Sequence, residues 1–205
     1  MNICTFDFET TGKCPMSAEP ITGYFDFNNG ENYHFKSKVD VWSEDAEKIH
    51  KISEFECSMF PDKKAALGGL CAYLQSLPSD TMFVLYSRPD VMGNYYHYDS
   101  AIIKMCFELY GLKYEMKNIV SAYTMAKDAH KQGLFVPNKK LSAKGRLMND
   151  FTQSGVYEAM FGFKFDGAHD CVNDVMALKE IYSALDLCLR NGTSLGAREQ
   201  MIMEL

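Results

Sequence analysis

The chain reads as an α/β protein: a mixed sheet whose first three strands run antiparallel and whose later strands run parallel, with helices on both faces. Three observations predict it. Residues 3–10, Ile-Cys-Thr-Phe-Asp-Phe-Glu-Thr, form an apolar strand dense in Phe. Asn28-Asn29-Gly30 lies between two strand-like runs and is a hairpin signal. From residue 43 onward, helical stripes alternate with short continuous apolar runs, the pattern of buried parallel strands linked by helices.

In order, the first strand stops at Thr10-Thr11-Gly12, and a Pro-bounded loop leads to a strand over residues 21–27 and its return over 33–39. Ser43, followed by Glu44 and Asp45, caps a short helix carrying Ala46, Ile49, His50 and Ile52. A second helix spans residues 62–77, with Leu67, Leu70, Cys71 and Leu74 on one stripe and Pro78 as its stop. Residues 81–86 are a buried strand. The loop over 87–98 holds Arg88, Tyr95, Tyr96, His97 and Tyr98; Asp99 then precedes a helix over 100–110. Ile119 and Val120 form a last short strand before a helix over 121–130. A basic segment, Lys139, Lys140, Lys144 and Arg146, accompanies an amphipathic stretch over 141–151. The final helix runs from near Asp170 to Gly192, with Val175, Leu178, Tyr182, Leu185 and Leu189 at helical spacing.

Asp7 and Glu9 are the first chemical signal. Side chains alternate across a strand, so both acids point to one side while Phe6 and Phe8 pack on the other. On an edge strand a D-x-E pair is an ordinary solvated face. On a central strand, two like charges this close cost several kcal/mol unless a cation or a shared proton compensates.

At 205 residues the chain suits one filled core: a single domain over 1–192 and a peripheral tail over 193–205. An apolar share of 47% and a charged share of 23% are those of an ordinary soluble globule. Neither a leader-like apolar segment nor a membrane-length apolar run is present, and the chain is expected to have no membrane partner. Seven cysteines without C-x-x-C spacing suit buried free thiols in a reducing compartment, hence the cytoplasm, rather than a disulfide framework or a zinc site. The net charge of −6 does not advertise nucleic-acid binding, yet acids gathered around metal ions would bias the sum without repelling a phosphate.

His169 and Asp174 complete the constellation. In one continuous helix they would stand about 140° apart, a poor shared face. With His169 in the loop and Asp170 as the cap, both can look into one cleft. Asp7, Glu9, Asp99, His169 and Asp174, in this order and context, resemble the DEDDh branch of the DnaQ-like 3′–5′ exonuclease superfamily. Phe6-Asp7-Phe8-Glu9-Thr10-Thr11-Gly12 is similar to its first motif. Ala46-Glu47-Lys48-Ile49-His50-Lys51-Ile52-Ser53 resembles its A-x-x-I-H-G-I-T segment, with Lys51 where Gly is usual. Tyr98-Asp99 resembles the second motif, with Asp90 as the alternative acid, and the His169 to Asp174 spacing matches the third. The resemblance covers roughly residues 3–185 and is nearest to phage-type and recombination-associated members.

The resemblance implies a ribonuclease H-like fold and two-metal hydrolysis of phosphodiesters from the 3′ end of nucleic acid, single strands preferred. It implies two Mg²⁺ ions, or Mn²⁺ in their place, which hard carboxylate oxygens select over zinc. Asp7, Glu9, Asp99 and Asp174 would hold metal, and His169 would be the general base. Thr10, Thr11, Gly12, His50 and Ile52 would contact the terminal nucleotide. The Tyr95–Tyr98 cluster would stack bases, and the basic segment would either hold phosphates or be a solvated face. DNA is the expected substrate; RNA trimming is the alternative, and from another class a non-catalytic nucleic-acid-binding domain. A metal-free acid/base hydrolase is disfavoured, because neighbouring acids on one strand lie closer than the roughly 6.5–9.5 Å of an inverting pair.

Overall fold

The computed structural model describes residues 2–88 and 97–195. Strands β1 (Ile3–Thr10), β2 (Pro20–Phe27) and β3 (Asn32–Lys36) pair antiparallel, and β4 (Met82–Leu85) and β5 (Ile119–Ser121) continue the sheet in parallel, in the order β3-β2-β1-β4-β5. The Phe-rich first strand is thus central. Asn28-Asn29-Gly30 makes the β2–β3 turn, with Gly30 at φ 88°, a backbone angle that glycine adopts freely.

Seven helices among the described residues cover the sheet. Ser43 caps α1 (Glu44–His50) by accepting the Ala46 N–H, and Ser53 likewise caps α2 (Glu54–Ser58). Cys4, Phe6 and Phe8 point to one face, where they pack with Leu67, Leu70 and Leu74 of α3 (Lys63–Ser76) and Ile102 and Phe107 of α4 (Tyr98–Leu109). On the other face lie α5 (Ala122–Lys131) and α7 (Cys171–Asn191), where Val84, Leu178, Ile181 and Leu185 form a second cluster with Ile3 at its border. Strand alternation puts Asp7 and Glu9 on the face of Ile3, towards α7, which packs across β1 and β2.

The first cluster is a ring lattice. Phe6 stacks on Phe25 at 5.3 Å, and Phe8 meets Phe25 and Phe35 edge-on at 5.5 and 5.7 Å. Such pairs add about 0.5–1.5 kcal/mol each beyond the area they bury. Gly23, opposite Phe8 in the β1–β2 register, leaves room for that ring: a Cβ there would lie 2.4 Å from Phe8 Cδ1. Gly23→Ala is therefore expected to destabilise the protein by about 1–3 kcal/mol, read as a lower thermal midpoint. An unchanged midpoint would mean that the lattice yields freely.

Helix α1 ends on Lys51 at φ 62°, the left-handed conformation that Gly adopts without cost. This is the physical reason for Gly at that place in the motif, since a residue with a Cβ gives up about 1–2 kcal/mol there. Lys51→Gly is expected to stabilise by about 0.5–1 kcal/mol after the extra chain entropy of Gly is allowed for. A thermal midpoint that stays put or drops would contradict this.

Behind α1, the buried ammonium of Lys63 pairs with Glu19 and, at 2.5 Å, with Asp40. Glu19 also accepts the Asp40 N–H at 2.7 Å, while its backbone carbonyl accepts the Thr11 N–H at 3.0 Å.

Several sequence expectations need correction. The stretch over 141–151, expected as one amphipathic segment, is instead broken up: β6 (Lys139–Leu141) and β7 (Leu147–Asn149) form a separate antiparallel hairpin, turned at Gly145 with φ 70°. Helix α6 (Gln153–Phe161), capped by Thr152, went unpredicted, as did α2. Strand β3 stops at Lys36 instead of reaching Val39, and α4 begins at Tyr98, which draws Asp99 into its first turn. At the far end, the Leu195 N–H donates to the Leu134 carbonyl at 2.7 Å. No helix among the described residues is long and apolar enough to cross a membrane.

Candidate active site

Asp7 and Glu9 leave the central strand at its carboxyl end, with a register shift between Glu9 and Thr10 where the strand turns away. Strand ends of this kind are where α/β sheets open crevices. Helix α7 supplies the opposing wall. Asp170 caps it, accepting the Val172 and Asn173 N–H groups at 3.0 and 3.1 Å, so the helix starts two residues after His169 and Asp174 falls in its first turn. Oxygen atoms of Asp7, Glu9 and Asp174 all lie within 4.8 Å of one another. Asp99, 4% exposed, closes a third side from the first turn of α4.

His169 sits on the rim. Its backbone is left-handed at φ 70°, and its N–H donates to Asp174 Oδ2 at 2.9 Å, tying the loop to the helix it precedes. Gly167 permits this approach: at φ 76°, a Cβ on it would lie 2.3 Å from Asn173 Nδ2. The cleft so formed holds about 290 Å³ and is lined by Asp7, Glu9, Tyr98, Asp99, His169 and Asp174, with Thr152 and Gln153 of the α6 entrance across from them. Gln153 Nε2 donates to the Asp174 carbonyl at 2.6 Å and so joins α6 to the first turn of α7.

A larger hollow of about 750 Å³ adjoins the cleft and shares Glu9 and Tyr98 with it. Thr10, Gly12, Ile49 and His50 line it. Thr10 Oγ1 lies 2.9 Å from the Tyr98 hydroxyl, and both hydroxyls donate to the Gly12 carbonyl, which ties the turn after β1 to the start of α4. His50 Nδ1 accepts the Ile52 N–H at 3.1 Å, so the ring proton resides on Nε2, and this buried donor has no partner among the described residues. Burial also holds the His50 pKa below its ordinary value, which keeps the ring neutral.

Two expected substrate contacts are not brought to the hollow. Thr11 is buried, and both its N–H and its hydroxyl are engaged with the Glu19 backbone. Ile52 lies beyond the left-handed end of α1, and Ile49 takes the wall position instead. Asp90, Tyr95 and Tyr96 lie outside the described residues. The sequence reading passed over Gln153 and Thr152 because α6 itself was not foreseen; their one signal was Thr152-Gln153-Ser154-Gly155 as a helix start. A second hollow of about 740 Å³, lined in part by α3, α4 and Thr81, opens at the other end of β4 and holds none of the five candidate residues.

The electrostatics are one-sided. Burial is the largest influence on all four acids, and repulsion adds to it at Asp7 and Glu9. Asp7 is driven well above the usual carboxylate range, first by burial and then by Asp99, Asp174 and Glu9. Glu9 rises to about 7 by burial and by Asp174 and Asp99. Asp99 rises to about 7 by burial, and Asp174 to about 6 by burial, with the His169 N–H pulling the latter back. No lysine or arginine pairs with any of the four among the described residues. Hard oxygen donors, crowded and uncompensated, fit a divalent metal ion.

No protein-family model and no curated protein sequence matches the chain. Solved structures do. E. coli exonuclease I in complex with a dT13 oligonucleotide superposes with a TM-score of 0.73 at 17% identity, over 93% of this chain and 42% of that one. Exonuclease I in its apo form gives 0.69 at 15% identity, over 92% and 44%. Exonuclease I of the moderate thermophile Methylocaldum szegediense gives 0.70 at 17% identity, over 93% and 41%. The chain thus spans less than half the length of these neighbours. What is shared at such identities is architecture: the chain has the ribonuclease H-like fold of exonuclease I.

Proposed function

We propose that residues 1–192 form a metal-dependent 3′–5′ exonuclease domain that releases nucleoside monophosphates from single-stranded DNA. The observation that carries this reading is the convergence of Asp7, Glu9 and Asp174 within 4.8 Å, with no lysine or arginine paired to them among the described residues, in a cleft of this fold. Neighbours that hold dT13 and dA16 favour single-stranded DNA as the substrate class.

Asp7, the most central acid, would hold both ions; Glu9 and Asp174 would hold the one beside the attacking water, and Asp99 the other. When bound, the ions supply Lewis-acid activation of that water and neutralise charge on the leaving oxygen. His169 takes the proton of the attacking water on its ring. Its place on the rim lets the ring swing in over the cleft, since hydrogen bonds of this kind tighten only once substrate is bound. The terminal nucleotide occupies the 750 Å³ hollow. There the Thr10–Tyr98 pair fixes the wall next to the scissile bond, Ile49 offers an apolar surface to the base, and the neutral His50 offers its unpartnered Nε2–H.

The test uses one single-stranded oligonucleotide labelled at either end. With Mg²⁺, the 3′ label is expected in mononucleotide from the first turnover, while the 5′-labelled strand shortens stepwise. EDTA is expected to stop both. Hydrolysis that persists in EDTA, or internal cuts as the first products, would overturn the reading.

A further inference from the structure

We infer that the β6–β7 hairpin is an arm that holds single-stranded DNA behind the 3′ end, with bases against Leu141 and Leu147 and phosphates at Lys144 and Arg146. This rests on the exonuclease reading and extends it away from the cleft. Leu141 and Leu147 are directly paired across the hairpin and so share one face, yet they are 70% and 68% exposed. A two-stranded ribbon of three-residue strands is marginal by itself, and two bare leucines at its outer end contribute nothing to any described core. Beside them, Lys144 and Arg146 form no ion pair among the described residues. Apolar contact and unneutralised cations on one projection match a polyanion with exposed bases, and leucine is a side chain that packs against unstacked base steps.

The base of the arm is fixed where the tip is not. Asn149 donates to His130 Nε2 of α5 at 3.0 Å, Lys140 pairs with Asp150 at 2.5 Å, and the Tyr86 hydroxyl donates to the Phe151 carbonyl at 2.9 Å. From Asn149 it is three residues to Thr152 on the cleft wall, at most about 10 Å of extended chain. A strand whose last nucleotide lies in the hollow therefore has the arm within reach of its next few nucleotides.

The experiment compares wild type with Leu141→Ser/Leu147→Ser and with Lys144→Gln/Arg146→Gln, each first shown to keep the wild-type far-UV spectrum and thermal midpoint. Binding of a fluorescent 20-nucleotide oligo-dT is measured in EDTA across a KCl series. Each double variant is expected to bind about tenfold more weakly, and the charge variant to show a salt slope shallower by about 1.4, the value for two lost phosphate contacts on a single strand. In Mg²⁺, the ratio of kcat/KM for the 20-mer to that for a trinucleotide is expected to fall by a similar factor. Wild-type affinity and ratio in both variants would overturn the proposal, as would a wild-type protein that does not bind the 20-mer. Because the binding series needs no hydrolysis, an inactive wild type would sink the exonuclease reading while the arm is still tested.

Discussion

Asp7→Asn is expected to lower hydrolysis of a 3′-labelled single strand by about 10³-fold, the scale on which loss of a preorganised electrostatic group is felt. The substitution keeps the size of the side chain and removes the charge that Glu9, Asp99 and Asp174 surround. His169→Ala is expected to lower the rate by roughly 10²–10⁴, the contribution of a positioned general base. The two losses differ in kind. Asp7→Asn is expected to remove both turnover and the rise in thermal midpoint that Mg²⁺ confers. His169→Ala is expected to remove turnover alone, since its ring holds no metal in this scheme. Retention of hydrolysis by both variants would leave the cleft without a catalytic part.

The second large effect is on stability, and its sign is opposite to that of ordinary salt-bridged acids. Asp7, Glu9, Asp99 and Asp174 have folded pKa values above the unfolded range of about 4. Between pH 4 and pH 7 the folded state therefore binds more protons than the unfolded one, and stability falls as pH rises through that window. Each unit of displacement corresponds to about 1.4 kcal/mol, so the metal-free protein should lose a few kcal/mol relative to a form without the repulsion. In EDTA, the thermal midpoint of Asp7→Asn should match that of wild type near pH 5. At pH 8 it should exceed it by several degrees, since about 1 kcal/mol moves a chain of this size by about 2–4 °C. Added Mg²⁺ should lift the wild type at pH 8 and do little at pH 5, where protons already occupy the site. A wild-type midpoint that climbs with pH in EDTA while the variant stays level would show that the acids do not repel one another as the cleft implies.

Much of this arrangement was legible because it rests on short-range geometry. Strand alternation alone places Asp7 with Glu9 and against Phe6 and Phe8. The Asp170 cap alone separates His169 from α7 and brings it beside Asp174. The misreadings share one cause, that tertiary partners decide them. Thr11 has the sequence of a nucleotide-binding turn, yet the backbone of Glu19, eight residues on, accepts its N–H and donates to its hydroxyl. Ile52 looks like a helical neighbour of His50 until Lys51 turns the chain left-handed and leaves Ile49 at the wall. The hairpin over 139–149 has strands of three residues, too short for alternation to be told from a helical stripe. Helix α6 was obscured in the same stretch, although its Thr152 cap was readable.

The buried ammonium of Lys63 gives the hollow a property its own lining does not explain. One lip is the turn after β1, joined through Glu19; the other follows from Asp40 and Val41 into α1, and the same two carboxylates meet on that one nitrogen. Segments about thirty positions apart are thereby kept at a constant gauge from behind. The width of the hollow is a dimension of the scaffold, set before any guest arrives.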